Sequence, residues 1–157
     1  MRKVFVTGIG TDVGKTIIAA ILTEALQADY WKPIQCGSLE LTDTERVKRL
    51  VESKQSYFHS EAYLLGTPAS PHYAAEVEDK KIHWGRLKVP ETENTLVIEG
   101  AGGILVPFNY KGESMLDMAK NWDAEVVIVS RNYLGSINHT LLTLKVLMDS
   151  GVKVLGI

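Results

Sequence analysis

The stretch Gly8-Ile9-Gly10-Thr11-Asp12-Val13-Gly14-Lys15-Thr16 decides the fold of this chain. It follows a short apolar segment, residues 3–7, and it opens an apolar, helix-like run over residues 16–26. A strand, a glycine-rich loop ending in Gly-Lys-Thr and a helix, in this order, form a cradle for phosphate groups. The backbone N–H groups of such a loop point at phosphate oxygens, and the helix N-terminus adds its positive dipole end. The stretch therefore predicts a phosphate-binding loop.

Lys15 and Thr16 close this loop, and their chemistry indicates what it holds. The ammonium of Lys15 would reach the β- and γ-phosphates of a nucleoside triphosphate, and the hydroxyl of Thr16 would lie on Mg²⁺. Five residues, rather than the usual four, separate Gly8 from Gly14, so the loop is a variant of the common motif. The alternative is a glycine-rich turn that binds nothing, which the segments on both sides disfavour.

The composition excludes several classes of protein. The 157 residues fit one domain, the formal charge is -2, and no run of basic residues exceeds two. We therefore expect no nucleic-acid partner and no anionic membrane partner. Cys36 is the only cysteine, which rules out an intrachain disulfide and favours a reducing compartment. With no signal-peptide pattern and no apolar stretch long enough to cross a bilayer, the sequence predicts a cytoplasmic protein.

Apolar runs and helix-like segments alternate along the chain. Strands are predicted at residues 3–7, 30–34, 95–99, 125–130 and 153–157, and helices at residues 14–27, 43–54, 113–121 and 136–150. Gly151 resembles a helix C-cap, and residues 66–74 and 88–94 resemble loops. This alternation predicts an α/β fold of three layers, in which helices cover both faces of a mainly parallel sheet.

The chain stops on an apolar strand, where a nucleotide-binding fold of this kind usually continues into a loop and a helix. The last strand would then be an exposed edge. We therefore expect residues 1–157 to form a single nucleotide-binding domain of P-loop NTPase architecture that lacks its C-terminal part.

Two further segments place charged side chains at predicted strand ends, where parallel sheets bind their ligands. Lys32 begins the segment Lys-Pro-Ile-Gln-Cys-Gly-Ser and could aim its ammonium over the site, although a lysine extending to solvent is favoured by this segment alone. Glu99 precedes three glycines in four positions and could hold Mg²⁺ directly or through water. A charged strand end is the alternative. Asp12 and Asp43 are further candidate carboxylates, and Asp43 could equally be a helix N-cap.

Residues 134–139, Leu-Gly-Ser-Ile-Asn-His, lie between a predicted strand and a predicted helix. Their glycine and helix-start amides could bind an anion such as a carboxylate. A plain helix start with Ser136 as N-cap is favoured by the pattern alone. His139 has no metal-ligand spacing, and no partner base is indicated that would make Cys36 a nucleophile.

Taken together, the motifs resemble those of the dethiobiotin synthetases, ATP-dependent enzymes of biotin biosynthesis. The resemblance runs from Arg2 almost to the last residue. It depends on VTGIGTDVGKT (residues 6–16), WKPIQCG (31–37), VIEGAGGILVP (97–107) and LGSINHT (134–140), with ASPH (69–72) between the second and third. Four motifs in the right order are more specific than a phosphate-binding loop alone, and the five-residue gap before Gly14 is the family's own spacing.

The resemblance implies a cyclo-ligase that converts 7,8-diaminononanoate, CO₂ (or bicarbonate) and MgATP into dethiobiotin, ADP and phosphate. One amine takes up CO₂ as a carbamate, and the carbamate oxygen attacks the γ-phosphate. The second amine then captures the mixed carbamic–phosphoric anhydride, which closes a cyclic urea. The family is also a homodimer, in which the loop at residues 135–138 of the partner would hold the substrate carboxylate.

The resemblance also implies roles for individual residues. Lys15, Lys32 and Thr11 would be catalytic, and Thr16, Asp43 and Glu99 would surround Mg²⁺. ATP contacts would come from Gly10, Thr11, Asp12, Val13, Gly14, Lys15, Thr16 and Ile17. Substrate contacts would come from Lys32, Cys36, Gly102, Gly135, Ile137 and Asn138.

Two departures from the family pattern, and several rivals, stand beside this interpretation. Cys36 occupies a position where some members have Ser or Thr, and the family reads adenine with residues beyond the last predicted strand. One rival is a partner-regulated ATPase switch like ParA and MinD, whose signature lysine lies five positions before the loop lysine, where this chain has Gly10. Others are a non-catalytic nucleotide-binding module and an amide-forming ligase of cobalamin synthesis, whose glutaminase domain has no room here.

Overall fold

The computed structural model describes residues 1–157, in which single strands or pairs of strands are separated by helices. The strands are β1 (Lys3–Gly8), β2 (Asp29–Trp31), β3 (Ile34–Cys36), β4 (Phe58–His59), β5 (Tyr63–Leu65), β6 (Leu96–Gly103), β7 (Glu125–Val129) and β8 (Val154–Gly156). The helices are α1 (Lys15–Ala25), α2 (Asp43–Leu50), α3 (Pro71–Val77), α4 (Met115–Asn121) and α5 (Ser136–Asp149), with a 3₁₀ turn at Trp84–Arg86. None of these helices combines the length and the apolar character that crossing a membrane requires.

Six strands form one parallel sheet in the order β4-β2-β6-β1-β7-β8. β3 and β5 form a second, two-stranded parallel sheet. Because β2, β6 and β1 are neighbours and run in the same direction, their C-terminal ends meet at one edge. That edge is where ligands bind in open parallel sheets.

Both faces of the large sheet are covered, which confirms the three-layer α/β fold. Alternate residues of a strand point to opposite faces, and β1 shows this clearly. Phe5 belongs to a buried cluster that includes Met118 of α4 and Leu147 of α5. Val6 belongs to a second cluster on the other face, which includes Ala19 of α1 and Val47 of α2.

The predicted strand at residues 30–34 is wrong in one respect, because it is two strands. β2 ends at Trp31, and the chain enters β3 of the other sheet at Ile34. Pro33 lies between them and lacks the N–H that a central strand needs. Its carbonyl instead accepts hydrogen bonds from the backbone N–H groups of Ala62 and Tyr63.

Other differences from the sequence prediction concern short elements. β4 and β5 were not predicted, since two or three residues are too few to show a periodicity. The predicted loop at residues 66–74 contains the start of α3, with Pro71 in the first turn, where proline is common. α2 ends at Leu50 rather than at residue 54. The loop at residues 88–94 has no regular structure, as predicted.

The last helix and strand agree with the sequence in most details. Gly151, just beyond α5, has φ 71°, a left-handed conformation that is typical of a residue ending a helix. Gly135, and not Ser136, is the N-cap of α5. β8 pairs with β7 alone and lies at the edge of the sheet, as expected.

The strand β5 provides a test of the fold at an element that the sequence did not predict. Leu65 is 0% exposed, whereas its neighbour Leu64 is 48% exposed. Leu65→Ala should lower the free energy of unfolding by about 2–5 kcal/mol, because it empties a packed site. Leu64→Ala is the matched control and should lower it far less. Urea unfolding of both variants measures the difference, and equal losses would contradict this placement of β5.

Candidate active site

A cavity of about 690 Å³ lies at the C-terminal ends of β1, β2 and β6. It is open to solvent and is lined mainly by polar side chains. It brings together most of the residues predicted from the sequence: Thr11, Asp12, Gly14, Lys15, Thr16, Ile17, Lys32, Cys36, Asp43, Glu99 and Gly102. Except for Ile17 and Asp43, these residues come from the motifs at residues 6–16, 31–37 and 97–107, and the parallel topology accounts for their meeting.

The phosphate-binding loop is shaped by close backbone contacts. A Cβ atom on Gly8 would lie 2.6 Å from the Val13 side chain and 2.7 Å from the carbonyl oxygen of Gly10, so only glycine fits. Gly14 has φ 101° and turns the chain into α1. Gly10 and Val13 do not line the cavity. Gly10 contributes a carbonyl group, and Val13 anchors the loop in the core.

Lys15 lies under this loop. Its Nζ donates a hydrogen bond to the carbonyl oxygen of Gly10, at 2.9 Å. Burial, and then the nearby ammonium of Lys32, hold the pKa of Lys15 below its usual value. Glu99, Asp43 and Asp12 oppose this shift, but none of them forms an ion pair with Lys15. A buried cation without such a partner favours an anionic ligand in the loop.

Lys32 joins two carboxylates at the centre of the cavity. Its Nζ lies 2.8 Å from Oδ2 of Asp43 and 3.1 Å from Oε1 of Glu99. It also donates to the carbonyl oxygen of Gly100, at 3.2 Å. Thr16 donates its hydroxyl to the same Oε1 of Glu99, at 2.9 Å. The sequence alone favoured a Lys32 side chain that extends to solvent. In the structure this side chain is buried in the cluster.

Within this cluster, the ammonium and the carboxylates each favour the charged form of the other. Burial alone would lower the pKa of Lys32, but Glu99 and Asp43 outweigh burial and hold the pKa above its usual value. Burial likewise opposes ionisation of Asp43, yet Lys32 keeps the pKa of Asp43 below its usual value. Lys32 and Asp43 are therefore charged at neutral pH despite their burial.

Thr16, Asp43 and Glu99 offer only oxygen atoms. No group of three or more His, Cys, Asp or Glu side chains in the chain could hold a metal ion by itself. Mg²⁺ is commonly bound by one or two carboxylates together with phosphate oxygens and water, so this set fits a metal that arrives with a nucleotide. The ammonium of Lys32 lies within 3.1 Å of both carboxylates, so the space between them already accommodates a cation.

Gln35 is a contributor that the sequence did not single out. Its buried side chain donates to the carbonyl oxygen of Gly37, at 2.9 Å, and accepts from the backbone N–H of Asp43, at 3.1 Å. It thereby ties the start of α2 to the second motif. The N-cap of α2 is Thr42, which corrects the alternative that Asp43 caps the helix. Asp43 stands in the first turn and is free to contact Lys32.

Tyr30 was predicted only as a strand residue, yet it contacts the site. Its hydroxyl donates to Oε2 of Glu99, at 2.8 Å, in a fully buried position. Burial first, and then the charge of Glu99, raise the pKa of Tyr30 well above its usual value, so the phenol stays a hydrogen-bond donor. Its place two residues before Lys32 in the predicted strand at residues 30–34 is the one signal in the sequence that could have identified it, since alternate strand residues share a face.

Cys36 lines the cavity but is a poor nucleophile. Burial raises the pKa of its thiol to about 11, against the opposing effect of Lys32. Only the thiolate is reactive, so the thiol is inert at neutral pH. The absence of a partner base in the sequence pointed to the same conclusion.

The predicted substrate contacts at the start of α5 are not part of this cavity. Gly135, Ile137 and Asn138 do not line it, and Ile137 is 77% exposed. Within one chain, therefore, these three predicted substrate contacts are not brought together with the other site residues.

Comparisons with known proteins agree with this geometry. A family model described as an AAA domain matches residues 2–157. A protein of Christiangramia forsetii named ATP-dependent dethiobiotin synthetase BioD is 53% identical over 156 residues, which are 99% of this chain and 74% of that protein. Proteins of the same name from Cytophaga hutchinsonii and Chlamydia pneumoniae are 51% and 42% identical, over 100% and 99% of this chain and 76% and 69% of their own lengths. The chain belongs to the family of ATP-dependent dethiobiotin synthetases.

Proposed function

We propose that this chain carboxylates 7,8-diaminononanoate with CO₂ and closes the product, at the expense of ATP, to the cyclic urea dethiobiotin, with release of ADP and phosphate. The observation that carries this proposal is the cluster of buried Lys32 and Glu99 with half-buried Asp43 beside the phosphate-binding loop. A carbamate and a triphosphate are both anions, and joining them demands cationic groups at their point of contact. Lys15 and Lys32 supply two such groups in one cavity.

The loop would hold the triphosphate and Lys32 would hold the carbamate against it. The contacts to ATP would come from the loop and the start of α1, residues 10–17. Lys15 would stabilise the charge that develops on the transferring phosphoryl group. Lys32 would lie over the carbamate and the γ-phosphate, and Thr11 would lie beside both substrates. Holding the two reactants in contact then accounts for much of the rate enhancement.

Thr16, Asp43 and Glu99 would surround the Mg²⁺ ion that arrives bound to the nucleotide. The ion, when bound, neutralises charge on the phosphate oxygens. Glu99 keeps its orientation through donors on both of its oxygens, and Asp43 keeps its position through Gln35 and the capped start of α2.

One amine first adds to the carbon of CO₂ and loses a proton, which gives the carbamate. Two further steps follow. A carbamate oxygen attacks the γ-phosphorus, the bond from this phosphorus to the bridging oxygen breaks, and ADP leaves. The free amine then attacks the carbamoyl carbon, phosphate leaves with the electron pair of the C–O bond, and the amine loses a proton. Cys36 and Gly102 would line the substrate part of the cavity, where a neutral thiol is a weak polar contact.

We further propose that two copies of the chain complete the site. Residues 135–138 of a second copy, at the start of α5, would hold the substrate carboxylate through their backbone amides. Gly135, Ile137 and Asn138 are exposed and do not line the cavity of their own chain, which is consistent with this role. A cytoplasmic location for the reaction is consistent with a single cysteine, which is free.

The test of the reaction is phosphate release with each substrate omitted in turn. MgATP, 7,8-diaminononanoate and bicarbonate should all be required, and dethiobiotin should appear in the amount of the phosphate released. Release that ignores the diamine would instead favour the ATPase-switch alternative. Gly10, at the position of that group's signature lysine, argues against that alternative.

Removal of either lysine charge should abolish most of the turnover. Lys15→Met and Lys32→Met should each lower kcat by about a hundredfold or more, the effect that loss of a group stabilising transition-state charge commonly has. Lys145→Met, at an exposed lysine paired with Asp149 on α5, is the matched control and should retain normal turnover. Steady-state rates, with thermal unfolding of each variant measured alongside, test this. A loss of only two- or threefold in Lys32→Met would overturn the role of Lys32.

Two inactive variants should partly restore each other if the site is shared. Lys15→Met damages the phosphate loop, and Asn138→Asp sets a negative charge where the substrate carboxylate would bind. In a random mixture about half of the dimers carry one copy of each, and one of their two sites is intact, so about a quarter of the normal activity should return. Co-expression with two affinity tags provides the mixture. Activity no greater than the sum of the two variants would exclude a shared site.

A further inference from the structure

The carboxylate of Glu99 receives donors of two different kinds. Oε1 accepts from Thr16 and from Lys32, both of which line the cavity. Oε2 accepts from Tyr30 alone, at 2.8 Å. Glu99 is only 1% exposed, and a buried carboxylate depends on such donors to satisfy its oxygen atoms and to keep one orientation.

Tyr30 reaches Glu99 from behind the site. Tyr30 of β2 pairs with Val97 of β6, so that Glu99, two residues further along β6, is its diagonal neighbour on the same face. An aromatic side chain is long enough to span this diagonal. Tyr30 is 0% exposed and does not line the cavity, so it cannot touch the nucleotide or the diamine.

The ring of Tyr30 is held firmly where it stands. It belongs to the buried cluster beneath α1 and α2, together with Ala19 and Ala20, and it packs against Phe58 with ring centroids 6.3 Å apart. A tyrosine has few rotatable bonds, so a packed ring fixes the direction of its hydroxyl. That hydroxyl in turn fixes the rotation of the Glu99 carboxylate.

We propose that Tyr30 is a positioning residue, which turns Oε1 of Glu99 toward Thr16 and thereby sets the affinity of the site for the divalent cation of the nucleotide. This inference rests on the proposed function, because it takes Glu99 to be a ligand of that cation. Thr16 and Lys32 face the cavity, where each has a proposed role toward nucleotide or substrate. Tyr30 is the one donor to Glu99 that does not line the cavity.

Tyr30→Phe tests this, since it removes the hydroxyl and keeps the ring. Partners that orient a metal ligand commonly change metal affinity by about tenfold or more when they are removed. The dissociation constant for Mn²⁺, measured by electron paramagnetic resonance with a non-hydrolysable ATP analogue present, should therefore rise about tenfold. The Mg²⁺ concentration for half-maximal turnover should rise in parallel, and the KM for ATP at saturating Mg²⁺ should stay near its normal value.

Tyr63→Phe is the matched control. The Tyr63 hydroxyl is also nearly buried and also takes part in a hydrogen bond, which it accepts from the backbone N–H of His83 at 3.0 Å. It lies in the second sheet and does not line the cavity. Its loss should change thermal stability but leave Mn²⁺ affinity as it was. If Tyr30→Phe behaves in the same way, the Tyr30 hydroxyl is merely structural and the inference is wrong.

Glu99→Gln distinguishes the role of Tyr30 from the proposed role of Glu99 as a metal ligand. Weaker Mn²⁺ binding in Glu99→Gln with unchanged binding in Tyr30→Phe would overturn the role of Tyr30 alone. Unchanged binding in Glu99→Gln would overturn the proposed metal ligands and the role of Tyr30 with them. Adding Tyr30→Phe to Glu99→Gln should weaken Mn²⁺ binding no further, because Tyr30 acts through the carboxylate.

A second substitution keeps the inference testable should Tyr30→Phe not fold. Incorporation of 3-fluorotyrosine at position 30 retains both the ring and the hydroxyl but makes the phenol a more acidic donor. The strength of the bond to Glu99 changes, and Mn²⁺ affinity should change with it. An affinity equal to that of the unmodified protein would count against the inference.

Discussion

The ion cluster of Lys32, Asp43 and Glu99 is the constraint on which the rest of the site depends. Each carboxylate lies within 3.1 Å of one ammonium, and Lys32 and Glu99 are buried where an unpaired charge would be strongly unfavourable. Removing one member of a buried ion pair commonly destabilises a protein by about 3–5 kcal/mol, because the charge left behind has no partner. The groups proposed for catalysis are thus also groups that the folded chain needs.

Topology, rather than proximity along the chain, assembles this cluster. Lys32 follows β2 and Glu99 lies in β6, and the phosphate-binding loop follows β1, three neighbours of one parallel sheet. Pro33 also contributes, because it lies where β2 has ended and the chain crosses from the large sheet to β3 of the second sheet. Gln35, at the centre of β3, then fixes the start of α2 and so the position of Asp43.

The sequence predicted those parts of the molecule whose signals are local. The loop from Gly8 to Lys15 is recognised by the spacing of its glycines and its lysine. The strand before it and the helix after it are long enough to show a pattern of apolar residues. Lys32 and Glu99 could be placed at strand ends, but their contact depends on strand order, which no local pattern contains. Tyr30 and Gln35 were missed for the same reason, because their roles consist of hydrogen bonds to residues distant in the chain. β4 and β5 are too short for any periodicity.

The partial burial of Cys36 in the wall of the cavity also determines how reactive its thiol is. A thiol whose pKa is about 11 presents almost no thiolate at neutral pH. Peroxides and alkylating agents attack the thiolate, so they meet a nearly unreactive group although it lines an open cavity. A cysteine in the lining of this cavity therefore carries little risk of oxidation.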